Sequence, residues 1–187
     1  YDNVINRHRR VVYTMRRKIL EGDDIKPEIR RLLTDKLREL TYMPARNNAK
    51  FTEEFEAVFP IGDKKITEIG EIKKDKARFE AAEKAVEEFY KEKEATLGDD
   101  VMRKVEREVY LQVLDTLWMQ HLENMQHLRE GIHWRSVGQR DPLVEYRAES
   151  QKLFDSLQAT LRDEVLRAVT HVHKHDVIAE EEEDHDT

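Results

Sequence analysis

Apolar residues recur at threes and fours along almost the whole chain, which is helical periodicity. Val4, Val11, Met15 and Ile19 set the first stripe and predict a helix over residues 1 to about 21. "EGDD" ends it: Gly22 suits the position just past a helix, and Asp23 and Asp24 can cap the next element. Pro27 then sits in the first turn of a second helix reaching about residue 40, with Ile29, Leu32, Leu33, Leu37 and Leu40 as its stripe. "YMPARNN" breaks the pattern. Phe51, Phe55, Val58 and Phe59 come next at helical spacing, and Pro60 and Gly62-Asp63 stop that short helix. Residues 64–75 fit neither period well. Phe79, Ala82, Val86, Phe89 and Tyr90 mark a helix over about 76–97, closed by Gly98.

The longest regular pattern comes after Gly98. From Val101 to about Glu130, Val105, Val109, Leu111, Leu114, Trp118, Leu122, Met125 and Leu128 form one stripe, with Asp99 and Asp100 as candidate caps. Such a helix is on the order of 45 Å long. The pattern stops in "GIHWRSVGQRDP", residues 131–142, and restarts at Asp141-Pro142, a capping carboxylate followed by proline at the first helical position. Leu143, Tyr146, Leu153, Phe154, Leu157, Leu161, Val165, Ala168 and Val172 carry it to about His173. Two stripes of similar length joined by about ten residues fold back as an antiparallel pair. The expected class is all-α: a long helical hairpin, a first helix and a small helical domain, with the 131–142 loop exposed at a tip.

Composition agrees with solvent-laced helices: charged residues make up 39% of the chain, and only 6 Gly and 4 Pro punctuate it. Without cysteine there is neither a disulfide framework nor thiol chemistry. Apolar runs fall far short of the roughly 18–20 residues that cross a bilayer. The chain opens on Tyr1 with no signal-peptide pattern, so the reading is a soluble piece of something larger. Of the net charge of −7, six units lie in the terminal "EEEEDHDT", leaving a nearly neutral body and an acidic end expected to be disordered. Arg7, Arg9, Arg10, Arg16, Arg17 and Lys18 make the first helix basic, which fits an amphipathic helix with a cationic outer face rather than a nucleic-acid site.

Catalytic chemistry is sparse. Neither a phosphate-cradling G-x-x-x-x-G-K-[ST] nor a nucleophile elbow occurs, so no cofactor and no catalytic residue is expected in this chain. His171 and His175 share a helix face with His173 and Asp176 nearby, but the Glu of a zinc-binding H-E-x-x-H is missing, so no metal site is assigned. His121 and His127 read as surface or partly buried residues. Trp134 lies on no stripe. Either it folds back to close the end of the hairpin, or with Arg135, Val137 and Arg140 it engages a polypeptide without reading its sequence.

The runs "LDTLW", "LREGI" and "GQRDPLVEY" resemble the helical hairpin, or two-helix finger, of the SecA family of ATP-driven preprotein export motors. "YDNVINRHRRVVYTMRRKIL" resembles that family's scaffold helix, and "FEAVFPI" with the 76–97 helix resembles its wing. The resemblance implies a scaffold-helix segment at 1–24, a helical wing domain at 25–99, a scaffold and finger hairpin at 100–175, and an acidic disordered tail at 176–187. It also implies that ATP and magnesium belong to motor domains outside this sequence. Its partners would be those motor domains, an unfolded preprotein and the SecY channel complex, with no nucleic acid. The parent protein would be cytoplasmic and peripheral to the inner membrane. The substrate and channel contact falls on His133, Trp134, Arg135, Ser136, Val137, Gly138, Gln139 and Arg140, with Val137 where many relatives carry Tyr. A stand-alone helical adaptor is the other reading, and motor motifs upstream of Tyr1 discriminate the two.

Overall fold

The computed structural model describes residues 1–22, 24–42, 47–135 and 141–185. Among them lie eight helices and no strand: α1 (Asp2–Glu21), α2 (Lys26–Thr41), α3 (Asn48–Val58), α4 (Asp63–Glu71), α5 (Asp75–Leu97), α6 (Asp99–Arg135), α7 (Pro142–His171) and α8 (Lys174–His185). They group into two compact units. The first holds Tyr1–Asp24 and Arg107–Arg162; the second holds Ile25–Glu106 and Asp163–Thr187. The division falls inside the two long helices: Asp99–Glu106 of α6 and Asp163–His171 of α7 group with the second unit.

Several helix ends arise from local chemistry. The Asn47 side chain accepts the Ala49 N–H at 2.9 Å and caps α3. Asp141 accepts the Leu143 N–H at 3.0 Å and caps α7, with Pro142 behind it. Asp99 and Asp100 are not caps but first-turn residues of α6, where their charges favour the helix dipole. Gly98 lies at φ +89°, a conformation that favours glycine and lets α5 turn into α6. Gly22 follows α1 as expected, but with an extended backbone (φ −75°, ψ 136°), and a Cβ there would meet the Lys18 carbonyl oxygen at 2.3 Å. Close approach, not handedness, is what requires glycine here.

The acidic end also departs from expectation. Residues 174–185 form α8, in which Ala179 and the run Glu180–Glu183 have good helix propensity, and Asp176 accepts the His173 N–H at 2.9 Å.

In the first unit α1 and the α6 segment run antiparallel. Arg129 pairs with Asp2 at 3.4 Å, His8 meets His121 at 2.9 Å, and Arg16 pairs with Asp115 at 3.0 Å, so rising numbers on one helix meet falling numbers on the other. The α6 and α7 segments are antiparallel too: Arg135 lies 3.7 Å from Glu145, and the His121 and Phe154 rings are 5.7 Å apart. Val4, Met125, Ile132 and Tyr146 form a buried core that Ile5, Leu128 and Leu153 extend. Val12, not Val11, faces inward on α1, and the buried turn between Val4 and Val12 is filled by His8.

The second unit is built on α2, α3, α4 and α5. Helix α3 packs on α4, α4 on α5, and α2 on α5 and α3. Phe51, Phe55 and Phe59 are buried with neighbouring ring centroids 5.7 and 5.6 Å apart. Gly70 of α4 lies against Phe51, where a Cβ would stand 3.1 Å from the ring. Thr170 near the end of α7 donates to the Val58 carbonyl at 2.7 Å, tying that end to α3.

Candidate protein-contact site at the end of α6

The expected tip loop begins later than the sequence suggests. Helix α6 continues through Gly131 to Arg135, so His133, Trp134 and Arg135 are helical and not part of a flexible loop. Ile132 supplies the physical reason: it is fully buried in the first unit's core and holds the last turn in register, which outweighs the ~1 kcal/mol that a helical glycine costs. Gly131 is thus no joint. A Cβ there meets nothing within 4 Å. Gly131→Ala is expected to stabilise the first unit by about 0.5–1 kcal/mol, read as a raised midpoint in urea unfolding followed by tryptophan fluorescence.

Beyond Ile132 the side chains turn outward. Trp134 is 79% exposed, so it does not close the end of the helix pair. Arg135 reaches Glu145 on α7 across 3.7 Å, a weak surface pairing. His133 is exposed beside Trp134. A groove of about 390 Å³ runs back from Trp134 and His133 past Glu130, Arg129 and Gln126 to Tyr1. The Tyr1 ring is held edge-on to Tyr146 at 4.6 Å, with the Arg129 guanidinium 5.0 Å above it. Ser136, Val137, Gly138, Gln139 and Arg140 lie outside the described residues. What the described part offers is an apolar ring and cations on a helix end fixed from below, suited to weak contact with a polypeptide.

The other candidates sort differently. His171 Nδ1 lies 2.6 Å from the Arg167 carbonyl oxygen, His173 and His175 stack at 5.7 Å, and His175 pairs with Asp176 at 3.2 Å. Among the described residues no three His, Asp or Glu side chains converge to hold a metal ion. His121, read as a surface or partly buried residue, is buried.

Sequence reasoning missed the polar residues at the centre of the buried faces. In the second unit Glu106 is fully buried and accepts the Tyr90 hydroxyl at 2.5 Å and the Arg103 Nε–H. Arg103 also donates to Glu94 at 3.1 Å. Burial pushes the Glu106 carboxyl up, against the hydrogen bonds from Tyr90 and Arg103, which favour its charged form. Burial opposes the Arg103 charge as well, but Glu106 and then Glu94 outweigh it and hold the guanidinium protonated. The Tyr90 hydroxyl is pushed well above its ordinary range by burial and by the Glu106 charge. The network lines a cleft of about 600 Å³ whose apolar wall includes Ile29, Leu33, Leu37 and Val86.

The described residues define a class, an all-α module of two compact helical units. Residues 1–173 match the family model of the SecA wing and scaffold domain, and the chain belongs to the SecA family. It is similar to the protein translocase subunit SecA of Streptomyces griseus subsp. griseus, 36% identical over 178 residues, which cover 88% of this chain and 19% of that protein. The SecA translocase subunit of Cutibacterium acnes is 38% identical over 173 residues (89% and 19%), and that of Clostridium botulinum strain Loch Maree 31% over 185 residues (92% and 22%). The chain therefore spans about a fifth of the length of these relatives. Among the described residues no helix is long and apolar enough to cross a membrane.

Proposed function

We propose that this chain is the non-catalytic wing and scaffold part of a preprotein translocase. In this reading ATP and magnesium act in motor domains outside this sequence, and α1, α6 and α7 relay that motion. The end of α6, with residues 136–140 beyond it, then meets unfolded preprotein at the mouth of the SecY channel, from the cytoplasmic face of the inner membrane. One observation carries the reading: Trp134 stands 79% exposed two residues beyond Ile132, the last buried anchor among the described residues of α6. An exposed indole offers a large apolar face with a polar N–H edge, the kind of side chain enriched where proteins meet. A translocated chain offers apolar side chains at irregular intervals, and a single ring with nearby cations can touch them and let go.

Trp134→Ala and Val137→Gly, tested singly and together in the full-length protein, are expected to slow preprotein translocation several-fold. Basal ATP hydrolysis should stay within about twofold of the parent. Translocation at the parental rate in all three variants would count against a gripping end.

A further inference from the structure

We propose that His8 and His121 form a proton-operated clasp that fastens α1 to α6 and α7 and loosens when the pair takes up protons. His8 of α1 and His121 of α6 are 4% and 3% exposed, with His8 Nδ1 2.9 Å from His121 Nε2. A bond between two imidazole nitrogens needs an N–H on one and a lone pair on the other, so two neutral rings satisfy it. The His8 ring lies flat on Phe154 of α7, centroids 4.2 Å apart and planes 5° apart. His121 is walled by Phe154 at 5.7 Å and Trp118 at 5.6 Å. Three helices therefore meet on one pair of titratable rings in an apolar box.

The charged groups around the pair divide. Arg7 on α1 opposes a second positive charge, and Asp155 on α7 favours one. Arg9 sits over the Trp118 ring at 6.0 Å, and the ionisable partner contributed by α6 is His121 itself. Burial leads: it holds His8 below the ordinary imidazole range, with Arg7 adding and Asp155 resisting. Burial and then the His8 charge pull His121 down to about 4. One proton can be shared, as an imidazolium donating to a neutral ring, at the cost of a buried charge. A second removes the last lone pair and sets two cations 2.9 Å apart.

The direction comes from linkage. Both groups are depressed in the folded state, so the unfolded chain binds protons more readily below the ordinary histidine value of 6.5. The clasp is intact above about pH 6.5 and weakens as pH falls toward about 4, where His121 titrates. Each unit of depression is a factor of ten in the equilibrium. Between pH 7 and 4.5 the opening equilibrium of α1 should change by about 30–100-fold.

Hydrogen exchange of the α1 backbone amides in the full-length protein, corrected for the intrinsic pH dependence, reads this directly. The parent is expected to lose about 30–100-fold of its α1 protection between pH 7 and 4.5. The His8→Gln/His121→Gln double variant keeps a donor and an acceptor at each position but cannot take the protons, and should lose less than about threefold. Equal losses in parent and double variant would overturn the clasp. Nitrogen-15 titration of the imidazoles in the unmutated protein needs no variant to fold: a His121 midpoint well below 6.5 supports the proposal, and one at or above 6.5 refutes it.

Discussion

Arg78→Met is expected to destabilise the second unit by about 3–5 kcal/mol, because it removes the donors that satisfy three carbonyl groups at once. Arg78 is 2% exposed near the start of α5. Its Nε–H donates to the Thr41 carbonyl at 2.8 Å, at the last residue of α2. Its Nη1 donates to the Ile72 carbonyl at 2.7 Å and the Lys73 carbonyl at 3.2 Å, just past the end of α4, and Nη2 adds Thr41 and the Asp75 carboxylate. One guanidinium thus closes the ends of two helices, whose terminal carbonyls have no partner within their own helix. Methionine keeps much of the volume and none of the donors. The check is thermal unfolding followed by far-UV circular dichroism, where the midpoint should fall by about 6–20 °C. A shift under about 2 °C would mean that water takes over those carbonyls without loss.

Phe55→Ala should have a comparable effect for a different reason. Phe55 is fully buried between Phe51 and Phe59. Truncation removes its transfer free energy and leaves a cavity that its ring neighbours can fill only in part, about 3–5 kcal/mol in all. Phe55→Leu restores most of the volume and should recover more than half of the loss. Equal losses for Ala and Leu in urea unfolding would point to the ring contacts, not to volume.

The helices were legible because apolar spacing and local punctuation agree. Asp141-Pro142 opens α7 and Gly98 separates α5 from α6, and both were readable as local chemistry. The centres of the buried faces were not. On α6 the fully buried line runs through Met102, Glu106, Tyr110, Leu114, His121, Met125 and Ile132. Two of these are polar, so a search for apolar residues settles on flanking positions such as Val105, Val109 and Leu122, which are only partly buried. On α1 the same bias selects Val11 in place of the His8–Val12 face, and on α5 it overlooks Arg78. The polar residues among the misses each have a distant partner as well as any near ones: Thr41 for Arg78, Tyr90 for Glu106, 16 positions away, and His121 for His8, 113 positions away. Such pairings leave no periodic trace. The helix end was misplaced for a related reason: Gly131 reads as a stop, and only the burial of Ile132 explains why α6 runs on.

The candidate site divides in the same way. Trp134 stands out because no stripe claims it, and it is one of the large apolar side chains that the packed core leaves outside. Its neighbours in the groove, Tyr1 and Arg129, could not be found from spacing, because Tyr1 reaches that place only through the antiparallel packing of α1 on α6.

Crosslinking tests the account at its centre. A photoactivatable residue would replace Trp134 or Val137, one at a time, in the full-length protein, with exposed Met119 as the control position. During ATP-driven translocation positions 134 and 137 are expected to crosslink both to the stalled preprotein and to the channel, while position 119 is not. Crosslinks to preprotein no stronger at 134 and 137 than at 119 would contradict it.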